Sequence, residues 1–321
     1  MKAPSNGPRL VVVALGGNAM QRPGGDDSVA GDFTRTTETA RHLVALASSG
    51  VRLVITHGNG PQVGNHLLRS ELGHTHGNLP ALPLDVCVAD TQGGMGYMLQ
   101  QCLTNAFHEA GIPAVVTSLV TQVVVDADDP AFDDPSKPVG EMIPAERVDA
   151  LRERGWRLKE DRARGGWRRV VASPNPVEIV EGTAIKAMID EGVVVVAAGG
   201  GGVPVFQDGD GRLTGAPAVV DKDLASALLA SDLRAEALLV LTDVERAYAD
   251  YGGPDERALS ELTVAEARRL SAEGHFPLGT MGPKIEALCR FAEATSGRGV
   301  LTSIEACEAA LDQNSGTAIV P

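Results

Sequence analysis

Residues 10–19, LVVVALGGNA, constrain the fold of this chain more than any other stretch. Val11, Val12 and Val13 are β-branched and unbroken by polar residues. Such a run suits a central strand buried on both faces, as in a parallel sheet. Gly16, Gly17 and Asn18 follow it. Two glycines at a strand's C-terminal end let the backbone turn sharply and keep side chains out of the way. Their bare N–H groups can then approach an anion closely. The same residues also suit a plain tight turn, and both readings stand at this point.

The rest of the chain repeats the pattern. Residues 32–49 read as a helix stopped by Gly50. Residues 53–56 read as a second buried strand, ending in His57-Gly58-Asn59-Gly60-Pro61, with Pro61 suited to the first position of a helix. Residues 86–110 form a long expected helix stopped by Gly111, followed by short strands at 115–116 and 120–125. A helix over 178–191, a strand at 193–196 and the glycine run 199–202 come next. A helix over 223–231 leads to a strand at 238–241 that ends in Thr242-Asp243. A helix over 281–296 and strands at 299–302 and 317–320 close the chain. Alternating strands and helices imply parallel strands joined by helical crossovers. Ligands of such open α/β sheets bind beyond the carboxyl ends of the strands, and three of these ends carry glycine turns.

A length of 321 residues fits one large α/β domain with an insertion, or two domains. Hydrophobic residues make up 43% and aromatics only 3%, so the expected core is mostly Val, Leu and Ala. A net charge of −14 argues against nucleic acid and anionic membrane surfaces as partners, while small anions held by local donors remain open. Cys87, Cys102, Cys289 and Cys307 form no CxxC pair and read as reduced, buried thiols of a cytoplasmic protein. No stretch approaches the ~18 apolar residues of a membrane span. The N-terminal MKAPSNGPR lacks an apolar signal core and reads as a frayed tail.

Residues 126–170 break the rhythm. They open acidic and proline-rich, DADDPAFDDPSKPVG. Between Arg152 and Arg169, eight of the chain's 28 basic residues fall within 18 positions, together with both tryptophans, Trp156 and Trp167. This reads as an inserted subdomain that could close over a ligand. It also reads as a solvated excursion that pairs its own charges, which is what such runs usually are.

Familiar nucleotide and metal signatures are missing: GxxxxGK[ST], GxGxxG, GxSxG, HExxH and paired CxxC do not occur. Several glycine turns and a few restrained lysines remain. AAGGGGVPV places four glycines, Gly199, Gly200, Gly201 and Gly202, after a valine strand. Ordering such a run costs conformational entropy, which makes sense for a backbone that cradles phosphates or for a close helix–sheet packing turn. In Asp221-Lys222-Asp223, at an expected helix start, Asp221 suits an N-cap. Lys222 there, and Lys284 in Met281-Gly282-Pro283-Lys284, both sit at the end of a helix that ordinarily favours anions. Compensating anions, or simply water, would account for them. Lys137 is held between Pro135 and Pro138 in Pro135-Ser136-Lys137-Pro138. Fixed cations with backbone donors are what phosphoryl transfer requires, because the protein contributes mainly position and charge.

These residues bring a known family into view. VVALGGNA, THGNGPQVGN, TQGGMGY, LTQVVVDADDPAF, PSKPVG, KEDRARGGWRRVVASPNP, GGGGVPV, VVDKD, LTDV and HFPLGTMGPKIEA run nearly end to end. In them the chain resembles the carbamate kinases, which have the amino-acid-kinase fold. The resemblance implies a three-layer αβα sandwich with a mostly parallel central sheet. Its N-terminal part would bind carbamate and its C-terminal part ATP, with a small inserted lid at 126–170. It also implies reversible transfer between ATP and carbamate, with Mg²⁺ held mainly by the phosphates, in a cytoplasmic homodimer. Other amino-acid kinases carry a lysine beside the first glycine turn, and Ala14-Leu15-Gly16-Gly17 has none. The resemblance assigns that charge to Lys137. It further implies donors to carbamate at Gly16, Gly17, Asn18, Gly58, Asn59 and Gly60. Lys222 and Lys284 would act on the phosphates, with Asp223 orienting both and residues 199–202 lining them. Asp243, Val244, Tyr248 and Met281 would lie near the adenosine. A kinase of another small carboxylate or phosphate, such as an acetylglutamate kinase, is the nearest alternative, and a non-catalytic metabolite-binding regulator is a second.

Overall fold

In a computed structural model that describes residues 9–20, 28–161, 165–277 and 279–321, strand Leu10–Leu15 is fully buried along its length. The expected frayed tail lies outside the described residues except for Arg9, as do Arg162 and Arg164 of the basic run. Successive side chains of a strand point to opposite faces. Leu10, Val12 and Ala14 accordingly enter one core, and Val11, Val13 and Leu15 enter another on the far side. Strand Ala237–Leu241 divides in the same way, with Leu238 and Val240 on the first face and Leu239 and Leu241 on the second. Two apolar faces need two helical layers, and the chain supplies them. Helices Val29–Ser48 and Leu84–Glu109 cover one face. Helices Gly182–Asp190, Lys222–Asp232, Val264–Ala272 and Met281–Thr295 cover the other.

The central sheet has eight strands. Their order is Glu261–Thr263, Thr317–Val320, Arg298–Thr302, Ala237–Leu241, Leu10–Leu15, Arg52–His57, Val194–Val196 and Val116–Ser118. All neighbours are parallel except Arg298–Thr302 and Thr317–Val320, which run antiparallel. Leu10–Leu15 sits inside the sheet in register with both neighbours, Leu15 opposite His57 and Ala14 opposite Val240. The turns at Gly16, Gly58 and Thr242 therefore emerge side by side on one edge.

Two sequence expectations are corrected. The strand expected over 120–125 is shorter, Gln122–Val125, and belongs to a separate four-stranded sheet. Gln92 on the long helix grips Thr121 at both its N–H and its carbonyl, so the chain is fixed before that strand begins. The helix expected over 178–191 starts only at Gly182, and Pro176–Ile179 is a strand paired antiparallel with Gln122–Val125. Glu181 enforces that break, because its carboxylate accepts hydrogen bonds from the backbone and side-chain amides of Gln122 at 2.7 and 2.9 Å.

Most of segment 126–170 forms a three-stranded antiparallel sheet, Lys137–Ile143, Gly166–Val171 and Leu158–Asp161, with a short helix Val148–Glu153. It has a small core of Ile143, Val148, Leu151 and Leu158 capped by Trp156 and Trp167. The described basic residues between Arg152 and Arg169 are occupied locally. Arg152 lies over Trp167 and Arg169 over Trp156, Arg154 pairs with Glu71, and Lys159 pairs with Asp134. Arg157 and Arg168 donate to the carbonyls of Asp133 and Gly140. The segment meets helix Gly60–Gly77 where Gly64 faces Gly140, backbone against backbone. A Cβ on Gly64 would collide with Gly140, whose φ of +73° itself favours glycine.

Gly64→Ala should therefore lower stability by about 1–3 kcal/mol, the usual cost of overpacking, as read from urea midpoints. Gly93→Ala, in the helix Leu84–Glu109 with open space around it, should instead stabilise by roughly 0.5–1 kcal/mol. Equal effects of the two would contradict the close crossing.

Candidate active site

At the carboxyl edge of the parallel strands lies a cavity of about 330 Å³. Gly16, Gly17, Gly58, Asn59, Gly60, Gly200, Asp243 and the three lysines Lys137, Lys222 and Lys284 all line it, with Asp221 and Asp223. Residues expected in three separate turns, two helix starts and the inserted segment thus meet in one place. Gly16 ends its strand hard against Leu241: a Cβ there would come 2.8 Å from the Leu241 carbonyl oxygen. Gly58 lies beneath Lys222, whose Cδ would be 3.3 Å from a Cβ at that position.

Lys222 is the first residue of helix Lys222–Asp232, and Lys284 lies in the first turn of helix Met281–Thr295. Both ammonium groups donate to the one carboxylate of Asp223, Lys222 to Oδ1 and Lys284 to Oδ2 at 2.9 Å. Asp223 is 3% exposed. Burial pushes its carboxyl up, but Lys222 and Lys284 outweigh that, and the group stays well below the usual carboxylate range. Asp221 plays two parts. Its Oδ1 accepts from the backbone N–H of Asp223 at 2.9 Å and caps the helix, as its type suggests. Its Oδ2 accepts from Lys137 Nζ at 2.9 Å. The protein's own Asp223 carboxylate compensates the lysines at these two helix N-termini.

The two lysines on Asp223 are tuned apart. Burial and the neighbouring Lys284 charge bring Lys222 from 10.5 down to about 8, against the opposing pull of Asp223. Lys284 is also desolvated, but Asp223, Asp221 and Asp243 outweigh burial and raise it. His57, at the end of its strand, is held neutral: burial, with some help from Lys222, lowers it to about 4. Its Nδ1–H donates to the Gly58 carbonyl at 3.1 Å.

Other expected site residues, Gly200 apart, do not line this cavity. Of the glycine run only Gly200 lines the cavity. Side chains at the four positions would overlap His57, Asn59, the Val220 carbonyl and Val123 in turn, and residues 200, 201 and 202 have φ of +65°, +92° and +86°. The run thus lets buried backbone pass between four neighbours. Val244 and Met281 pack partly buried against the core, and Tyr248 lies in the hairpin Ala247–Ala249 and Arg257–Leu259, its ring 5.6 Å from that of Tyr251. Asn18 is in the 3-10 turn Gly17–Ala19, and its side chain is outside the description. Sequence reasoning missed the Lys137 partner Asp221, the lining residues Val220, Thr242, Gly279 and Thr280, and Thr91, which holds Asn59. Only Asp221 and Thr242 carried a local signal, a helix cap and a strand end.

Among the described residues no three His, Cys, Asp or Glu side chains form a group able to hold a metal ion. No helix among them is long and apolar enough to cross a membrane. The four cysteines are buried and unbridged, and burial raises each thiol.

A parallel sheet with lysines and bare backbone at its carboxyl edge defines a class of small-molecule kinases. The sequence matches the amino acid kinase family over residues 9–303, and the chain belongs to that family. Within it the chain belongs with the carbamate kinases. The carbamate kinase of Pyrococcus furiosus is 45% identical over 314 residues, 98% of this chain and 99% of that protein. That of Clostridium perfringens is 44% identical over 97% of this chain and 99% of its own length. The solved carbamate kinase of Giardia lamblia bound to AMP-PNP superposes with a TM-score of 0.89, at 40% identity and 98% coverage of both chains.

The lowered Lys222 has a consequence for stability. Between pH about 8 and 10.5 the unfolded chain carries a proton that folded Lys222 has lost. This group therefore makes the protein gain stability as pH rises through that window. The urea-midpoint difference between the wild type and Lys222→Met should shift in favour of the wild type from about pH 7.5 to about pH 9.5. A difference independent of pH would contradict it.

Proposed function

We propose that the chain catalyses reversible phosphoryl transfer between ATP and carbamate, giving ADP and carbamoyl phosphate. The observation that carries this is the convergence of Lys137, Lys222 and Lys284 with the glycine turns on one cavity. Full-length relatives named as carbamate kinases support it.

Carbamate is small, planar and already ionised, so it needs donors rather than a general base. Backbone N–H groups of Gly16, Gly17, Asn18, Gly58, Asn59 and Gly60 would supply them. The migrating phosphoryl group would pass in line between these turns and the ADP side. Lys222 and Lys284 would each direct a further N–H to the oxygens of that phosphoryl group, and Asp223, still bound to both, would keep the ammonium groups charged and placed. Lys137, delivered by the inserted segment and held meanwhile by Asp221, would supply the charge that the first glycine turn lacks. Mg²⁺ would come with the nucleotide and neutralise its β- and γ-phosphates. Gly200, with the rest of 199–202 fixing its path, would border the phosphates, and Asp243, Val244, Tyr248 and Met281 the adenosine.

Family resemblance supports operation toward ATP in arginine or related catabolism, and a homodimer. Leu72, Val86 and Tyr97, exposed on the helices Gly60–Gly77 and Leu84–Glu109, are available for such a contact. Unbridged cysteines support a cytoplasmic setting. Residues 126–170 would act as the lid.

Coupled formation of ATP from ADP and carbamoyl phosphate tests the proposal, with acetylglutamate and ATP as the control reaction. Carbamoyl phosphate should be the productive substrate. Preference for acetylglutamate would overturn the assignment. In the same assay Lys222→Ala and Lys284→Ala should each lower kcat by roughly a hundredfold or more, on the order of 3 kcal/mol. Lys137→Ala should lose turnover more than ATP affinity. Rates near wild type for Lys222→Ala and Lys284→Ala would remove both from catalysis.

A further inference from the structure

The side chain of Asn59 has a duty beyond that of its backbone. It lines the cavity yet is only 3% exposed. Its Nδ2 donates to Thr91 Oγ1 at 2.8 Å, and Thr91 is itself 1% exposed. The Thr91 hydroxyl has a single proton, and that proton goes to the Val88 carbonyl at 2.7 Å. Thr91 can therefore only accept from Asn59. This fixes the carboxamide: the NH₂ end faces Thr91 and Oδ1 is the other end. Gly200 closes the remaining freedom, because the carboxamide lies where a Cβ on that residue would be. Among the described residues no protein donor meets Oδ1. Oδ1 is not among the fully enclosed unpartnered polar atoms, so it keeps access to the cavity that Asn59 lines, where a ligand or water can supply the donor.

We propose that Asn59 Oδ1, set by Thr91, accepts a hydrogen bond from the amino group of carbamate and of carbamoyl phosphate, and so selects the carbamoyl group over an acetyl group. The inference rests on the proposed reaction, since it names the feature of that substrate which the site reads. The carbamate nitrogen is conjugated with its carboxylate, so the NH₂ group donates and does not accept. The methyl group of acetate has the same size and no proton to give. A site with a fixed acceptor disfavours such an analogue, because the bound analogue covers the acceptor and offers it no donor. Asn59 would thus determine specificity, and Thr91 would be a positioning residue that acts through it.

The test compares KM for carbamoyl phosphate with the inhibition constant of acetyl phosphate as its competitor, at fixed ADP, in the wild type, Asn59→Ala, Thr91→Val and Thr91→Ser. The wild type should bind carbamoyl phosphate more tightly. In Asn59→Ala the ratio of acetyl phosphate Ki to carbamoyl phosphate KM should fall by about three- to tenfold, the worth of one neutral hydrogen bond. Thr91→Val should lower it in the same direction, and Thr91→Ser, which keeps the hydroxyl, should restore it. If Asn59→Ala does not fold, Thr91→Val and its Ser counterpart carry the test. An unchanged ratio in Asn59→Ala and Thr91→Val, with both ligands weakened alike, would overturn the inference and leave the proposed reaction standing. A wild type that makes no ATP from carbamoyl phosphate would overturn the proposed reaction itself.

Discussion

The carboxylate of Asp223, shared by Lys222 and Lys284, is the contact on which the site depends. Two ammonium groups at neighbouring helix N-termini repel each other and the helix dipoles. Removed from water, they are tolerable only with an anion between them. Asp223 supplies it, one oxygen to each lysine. The arrangement is poised rather than saturated. Each ammonium group uses one of its three donors on Asp223, so a polyphosphate entering the cavity can take the others without displacing that contact. The opposite tuning of the pair follows from surroundings: both are desolvated and both feel Asp223 and Asp221, but the Lys284 charge also pulls Lys222 down, while Asp243 also pulls Lys284 up.

Everything that brings those groups together is backbone economy at the strand ends. Gly16 passes the Leu241 carbonyl, Gly58 leaves room for the Lys222 stem, and Gly64 lets the inserted segment cross helix Gly60–Gly77 at Gly140. The glycine run after Val194–Val196 threads between His57, Asn59, Val220 and Val123. Behind it, the long helix Leu84–Glu109 holds both sides, Thr91 on Asn59 and Gln92 on Thr121, which in turn accepts from Ala198 N–H. Packing therefore determines where the cavity is, and the charged residues determine what it can hold.

Much of this was legible in the sequence, for identifiable reasons. Val11–Val13 and the strands around them carry unbroken apolar runs, so a doubly covered parallel sheet follows from residue type alone, and the glycine turns mark its functional edge. Lys222 and Lys284 stood out because their charge opposes the helix end they occupy. Less was legible where the deciding partner is distant in the chain. Nothing local shows that Lys137 meets Asp221 or that Asn59 meets Thr91. The glycine run could be read as a phosphate cradle or as a packing turn, and its neighbours show all four positions closely packed, with Gly200 also lining the cavity. The basic run near 152–169 suggested a charged lid face, yet its described members are engaged by tryptophans, carboxylates and carbonyls of their own surroundings.

The central claim is that three ammonium groups gather on a phosphoryl group in flight between the glycine turns and the nucleotide. A crystal structure with ADP, Mg²⁺, carbamate and aluminium fluoride, which mimics that group, tests it most directly. The account predicts Lys137, Lys222 and Lys284 Nζ all within hydrogen-bonding distance of the fluorides or the bridging oxygens, with Asp223 still touching Lys222 and Lys284. An aluminium fluoride bound elsewhere, with the three lysines still on Asp221 and Asp223 alone, would contradict it.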